Sequence, residues 1–135
     1  MSVSFIDTNI FLRHLYQDDQ NYSPKATSIL KRIEEGELKV YVSDIVIFET
    51  VFTLHRSYKV SKKVIAESLL PLIQLPGITL PGKKLYNKAF QIFLSTSLGF
   101  ADCYHVALME KLKVEEIFSF DKDFDKIRNI KRKES

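Results

Sequence analysis

Four acids in this chain sit beside apolar runs, where a lone carboxylate would need a partner. Asp7 follows the run Val3 to Ile6, within Phe-Ile-Asp-Thr-Asn. Glu49 lies inside the apolar stretch Ile45 to Leu54. Asp102 opens a helical pattern, Ala-Asp-Cys-Tyr-His-Val-Ala-Leu, and Asp121 ends the run Ile-Phe-Ser-Phe. A carboxylate beside apolar side chains is costly to desolvate unless something pairs with it. No Lys or Arg adjoins Asp7, Glu49 or Asp102 in sequence. Acids brought together also repel: at ~4 Å and an effective dielectric near ~20, each pair costs about 4 kcal/mol. A hard, oxygen-preferring ion such as Mg²⁺ or Mn²⁺ removes that cost. Such an ion activates water and neutralises charge building on a phosphate. The chemistry expected of this set is hydrolysis of a phosphodiester by metal-activated water. Thr8 and Ser119, beside Asp7 and Asp121, carry hydroxyls suited to supporting the carboxylates. Asn9 is placed to hold a carboxylate or to cap the first helix.

The elements that must position these groups can be read from caps and periodicity. Val3 to Ile6 reads as a strand, followed by a helix over Ile10 to Tyr16 capped by Thr8 or Asn9. Ser23, Pro24 and Gly36 mark the ends of the next helix, with Ala26, Ile29, Leu30 and Ile33 at helical spacing. Leu38 to Val42 is a second strand. Ser43-Asp44 starts an apolar helix running to about Tyr58. Ser61 caps a helix with Val64, Ile65, Leu69 and Leu72 on one face, which Pro71 should kink or end. Ile78 to Leu80 is a short strand between two Pro-Gly turns. Helices follow over Lys83 to Ser97, with Leu85, Ala89 and Ile92 inward, and from about Ala101 to Lys113. Glu116 to Phe120 is a strand, and Ile127 to Ile130 a short last one.

Strands alternating with helices imply an α/β protein with a short, mostly parallel sheet covered on both faces. Ligands bind such sheets beyond the carboxyl ends of the strands. Asp7 and Asp121 fall on one rim if their strands are parallel neighbours, and Glu49 and Asp102, near helix starts, can join them there.

At 135 residues the chain fits one domain, and no linker or repeat divides it. Net charge is +3, compatible with a polyanionic partner without demonstrating one. The single Cys103 excludes an intrachain disulfide and fits a reducing compartment. No apolar run approaches the ~20 residues of a membrane span. The N-terminus shows neither a basic region nor a cleavage pattern, so a cytoplasmic protein without a membrane partner is expected.

Together, Asp-Thr-Asn after an N-terminal strand, Glu in the third helix, Ala-Asp-Cys-Tyr-His near the start of a late helix, and Ser-Phe-Asp-Lys-Asp-Phe after a late strand resemble the PIN-domain ribonucleases. The likeness is to the VapC-type toxins of toxin–antitoxin pairs and covers nearly the whole chain. It implies a PIN-like three-layer sandwich over residues 1–135. It implies Asp7, Glu49, Asp102 and Asp121 as the catalytic and metal-binding residues for Mg²⁺ or Mn²⁺. It also implies cleavage of single-stranded regions of RNA, a homodimer, and a small antitoxin whose C-terminal segment covers the site. Asp121, rather than Asp123 or Asp125, is the matching position.

Simpler readings stand beside these. Asp7 can cap a helix, Asp102 can answer a helix dipole, Glu49 can be an exposed helix residue, and Asp121 a turn residue. His105, one turn after Asp102, reads as a packing residue; His14 and His55 fit no zinc spacing. Cys103 and the phenylalanines at 48, 52, 90, 93 and 118 read as core. The basic residues Lys122, Lys126, Arg128, Lys131, Arg132 and Lys133 read as a solvated tail or as contacts to RNA phosphates. Arg13, on the first helix, is a candidate phosphate contact. A catalytically degenerate PIN-like module that binds RNA or acts as a scaffold is the alternative function. A HAD-type phosphatase would need Asp-x-Asp where this chain has Asp7-Thr8-Asn9. A P-loop enzyme would need a Gly-rich loop ending in Lys-Ser/Thr, which is absent.

Overall fold

The strands of this chain are only two or three residues long, so helices carry most of the regular structure. The computed structural model describes residues 3–135. They divide into two compact units, one ending at Lys84 and the other spanning Leu85–Ser135.

In the first unit, β1 (Val3–Phe5), β2 (Lys39–Tyr41) and β3 (Ile78–Thr79) form a parallel sheet in that order. Val3 aligns with Lys39 and Val40 with Ile78. The central strand is set by Val40, 1% exposed between exposed Lys39 and Tyr41. Parallel neighbours need long crossovers. The first is α1 (Thr8–Leu15) plus α2 (Tyr22–Glu34). The second is α3 (Asp44–Phe52), a π-helical turn over Thr53–Ser57, and α4 (Lys62–Ile73). α1 packs on both α2 and α3. Phe11, Leu30, Ile33, Ile47, Val51, Ile65, Leu69 and Ile73 form much of this core.

In this unit two helix starts differ from expectation. α1 begins at Thr8, because the Asp7 side chain caps it in place of Thr8 or Asn9. α2 begins at Tyr22, ahead of the expected Ser23 cap. The Asp19 carboxylate accepts from the amides of Tyr22 (2.7 Å) and Asn21 (2.9 Å). These bonds, Tyr22's first, and the nearby Arg13 charge hold the Asp19 carboxyl below its ordinary range. Pro24 still falls in the first turn, where no amide is needed. The α2 stop is as expected. Gly36 has φ +81 and Glu37 N–H returns to the Arg32 carbonyl at 2.9 Å, a left-handed termination that favours glycine. α4 runs two residues past Pro71, which lies in its last turn. Its buried face is Ile65, Ala66, Leu69 and Ile73, leaving Val64 exposed.

The second unit starts with α5 (Tyr86–Ser95) packed on α6 (Phe100–Leu112). Tyr86, Phe90, Phe93 and Phe100 interlock between them, with Phe90 and Phe100 ring centroids 4.6 Å apart. Cys103 is fully buried, as expected. Then come β4 (Glu116–Phe118), a 3₁₀ turn over Lys122–Lys126, and β5 (Lys131–Lys133). β4 and β5 pair in parallel, with Ile117 opposite Arg132.

Here the expectations fail more often. The last strand is Lys131–Lys133, not Ile127 to Ile130, and β4 stops at Phe118. Lys131, Arg132 and Lys133 are therefore paired structure and not a solvated tail, whereas Lys122, Lys126 and Arg128 are exposed. Phe52 and Phe118 are exposed, at 63% and 72%, and are not core. The mixed α/β class with parallel strands holds; among the described residues the strands form two sheets, and β1 and β4 belong to different ones.

Candidate active-site carboxylates

Asp7 is placed by the end of β1. Ile6 N–H still bonds the Tyr41 carbonyl of β2 (3.1 Å) and its side chain is buried, so the chain turns only at Asp7. Asp7 has extended backbone angles and its Oδ1 accepts from Asn9 N–H at 2.6 Å. The bland reading of Asp7 as a helix cap is thus a fact of the structure. It uses one carboxylate oxygen; Oδ2 has no hydrogen bond among the described residues.

Glu49 lies in the second turn of α3 and is exposed. Ile45, Glu49 and Phe52 fall at i, i+4 and i+7, one helix face. That face is open, with Ile45 and Phe52 each 63% exposed. Thr8 Oγ1 donates to Glu49 Oε2 at 3.2 Å. The hydroxyl expected to support Asp7 therefore supports Glu49, and it brings the first turn of α1 against α3. Asn9 contributes its backbone amide, to Asp7.

In the second unit, Asp102 lies in the first turn of α6 with its side chain 35% exposed. His105 Nδ1 is 3.5 Å from Asp102 Oδ1, and the ring is 55% exposed. His105 is thus a neighbour of the carboxylate and not a packing residue. Asp121 caps the 3₁₀ turn after β4. Its Oδ1 accepts from Asp123 N–H at 2.9 Å, and its own N–H donates to Ser119 Oγ at 3.0 Å. Ser119 holds the backbone of Asp121 rather than its carboxylate. Of the nearby aspartates, Asp123 pairs with Lys126 at 3.5 Å and Asp125 with Arg132 at 2.9 Å. Asp121 is engaged by amides and hydroxyl only.

The acids are more open than their sequence context implies. Asp7, Glu49 and Asp121 are exposed and Asp102 is half-buried. Desolvation therefore supplies no argument for a cation here. The four side chains offer oxygen donors, the type a hard cation prefers, and Asp7 and Asp121 each commit one oxygen to a backbone amide. Asp7 and Glu49 belong to the first unit and Asp102 and Asp121 to the second. No group of three or more His, Cys, Asp or Glu placed to hold a metal occurs among the described residues.

Arg13 stands at the far end of α1 from Asp7, about 9 Å along the axis at 1.5 Å per residue. Its guanidinium is 3.2 Å from Asp18 and 3.7 Å from Asp19. A cavity of about 800 Å³ in the second unit is lined by Ile92, Val106, Met109, Lys113, Ile127 and Ile130, among others, and by none of the four acids. No helix among the described residues is long and apolar enough to cross a membrane.

Sequence reasoning missed Asp19, and it read Arg132 as a tail residue or phosphate contact and missed its structural role. Asp19 precedes its helix by only three residues, so its signal was local. Arg132 had none, since its partners lie seven and thirteen residues upstream as well as beside it.

Over 125 residues the chain is 22% identical to the VapC ribonuclease of Aquifex aeolicus, covering 93% of this chain and 92% of that protein. Among solved structures it is similar to the VapC20 toxin of Mycobacterium tuberculosis, described as cleaving the sarcin-ricin loop. That likeness has a TM-score of 0.41 and 20% identity, over 93% of this chain and 94% of the other. The PIN domain family model matches residues 4–130. Since that span runs from β1 to the residue before β5 and takes in all four acids, the chain belongs to the PIN domain family.

Proposed function

We propose that this chain, acting as one PIN-like domain over residues 1–135, is a Mg²⁺- or Mn²⁺-dependent endoribonuclease. It cuts single-stranded regions of RNA and serves as the toxin of a type II toxin–antitoxin pair. It works in the cytoplasm as a homodimer, held in check by a small antitoxin protein. Membership of the PIN family and the relative named a VapC ribonuclease support the ribonuclease reading, and the toxin role rests on the resemblance to VapC-type toxins. The observation that carries it on the molecule is the corner where Asp7 ends β1 and Thr8 braces Glu49.

In this reading Asp7, Glu49, Asp102 and Asp121 hold the cation through their oxygens. Bound there, the cation would neutralise charge on the phosphodiester and acidify water. Asp7 is fixed by its cap bond, so one oxygen is oriented before any ligand arrives. Glu49, held at Oε2 by Thr8, would orient the attacking water in this reading. Asp121 is fixed by the two successive turns that start at Ser119.

The test is cleavage of a panel of structured and single-stranded RNAs with Mg²⁺ or Mn²⁺, against EDTA and an identically purified Asp7→Asn variant. Cleavage lost in both controls supports the reading. Cleavage retained by the variant removes Asp7 from the site. Absence of both cleavage and metal binding would favour a degenerate RNA-binding or scaffolding module.

A further inference from the structure

The Asp121 turn is fastened to β5 by one side chain. Arg132 is only 11% exposed although it lies on a short strand near the end of the sequence. Its Nε and Nη2 donate to the two oxygens of Asp125 at 2.9 and 3.2 Å, a two-pronged bond. Its Nη1 donates to the Ser119 carbonyl at 3.0 Å and to Glu134. Four of its five N–H donors thus have partners, so little of the guanidinium remains to meet a phosphate.

These partners bracket Asp121. Ser119 is held at its carbonyl by Arg132 and at its N–H by the Lys133 carbonyl, 3.0 Å away. The Ser119 hydroxyl takes the Asp121 amide, and the Asp121 carboxylate takes the Asp123 amide. Asp125, at the far side of the turn, is held by the same Arg132. Between them Phe124 is buried at 3% exposure, pinning the turn from within. A planar fork joins both ends of the loop in fixed geometry, which the single point charge of a lysine does not reproduce.

We infer that Arg132 is a positioning residue for Asp121, locking the Ser119–Asp125 turn so that the free Asp121 oxygen meets the cation in one orientation. The inference rests on the reading of Asp121 as a metal ligand. It predicts that ligand residues and the residues that orient them are coupled, with metal affinity changing 10–100-fold when the orienting group is lost.

The experiment is Mn²⁺ titration by calorimetry on the full chain, with thermal unfolding measured on the same samples. The variants are Arg132→Met, Arg132→Lys, Asp125→Asn and Asp121→Asn. The expected result is Mn²⁺ binding weakened about 10–100-fold in Arg132→Met, less in Arg132→Lys and Asp125→Asn, and restoration of RNA cleavage by excess Mn²⁺. Asp125→Asn leaves Arg132 in place, so it still reports if Arg132→Met does not fold. Wild-type Mn²⁺ affinity in the Arg132 and Asp125 variants, with weakened binding in Asp121→Asn, overturns the positioning role alone, even if Tm falls. Unchanged affinity in Asp121→Asn overturns both that role and the reading of Asp121 as a ligand.

Discussion

Thr8 Oγ1 donates a hydrogen bond to Glu49 Oε2 across 41 residues of sequence, at 3.2 Å. No other hydrogen bond to the Glu49 carboxylate occurs among the described residues, so this hydroxyl alone fixes its direction.

Replacing Thr8 by Val keeps the branched shape and removes the hydroxyl. We expect Thr8→Val to lower RNA cleavage about 10-fold or more, with Thr8→Ser close to wild type and the far-UV spectrum unchanged. Initial rates at saturating Mn²⁺ check this. Equal rates for Val and Ser would mean that Glu49 needs no brace.

Asp7 has a structural and a proposed catalytic task, and two substitutions separate them. Asn can still accept the amide of Asn9, whereas Ala cannot. Both variants should lose cleavage, but only Asp7→Ala should also lose about 1 kcal/mol of stability from the missing cap. Urea unfolding of the three proteins decides it. Equal midpoints for Ala and Asn would show that the cap contributes nothing.

His14 gives a pH dependence whose sign can be worked out. The ring is half-buried with Nδ1 2.8 Å from Thr27 Oγ1, and burial lowers its pKa below the ordinary 6.5. As pH falls through 6.5, the unfolded chain takes up a proton that the folded chain still refuses. Stability from neutral His14 is therefore complete above that pH and declines below it, until the folded ring protonates too. Urea midpoints at pH 7.5 and 5.5 should differ more in wild type than in His14→Gln, and identical differences would remove His14 as the cause.

Phe90 is 1% exposed at the centre of the aromatic cluster joining α5 and α6. Truncation leaves a cavity among rings fixed by their neighbours, so Phe90→Ala should cost about 3–5 kcal/mol. Leu94, on the same helix but 51% exposed, supplies the contrast. Leu94→Ala should leave the unfolding midpoint nearly unchanged, and a comparable loss there would show that exposure does not rank these positions.

What the sequence determined by itself was local or periodic. Helix caps at Ser43 and Ser61, the Gly36 stop and the inward faces of α2 and α5 follow from bonds and spacings within a few residues. The parallel pairing of the strands followed from their alternation with helices, and the four acids stood out by context and family resemblance. Tertiary structure decided the rest, because each remaining feature depends on groups far apart in the chain. An all-basic β5 carries no apolar pattern and exists through pairing with β4 and the Arg132 network. Phe52 and Phe118 look like core, yet nothing described covers them. Which oxygen Thr8 holds could not be read from its neighbour Asp7, since a side chain bonds to whatever the fold brings within 3.2 Å, and here that is Glu49 on another helix.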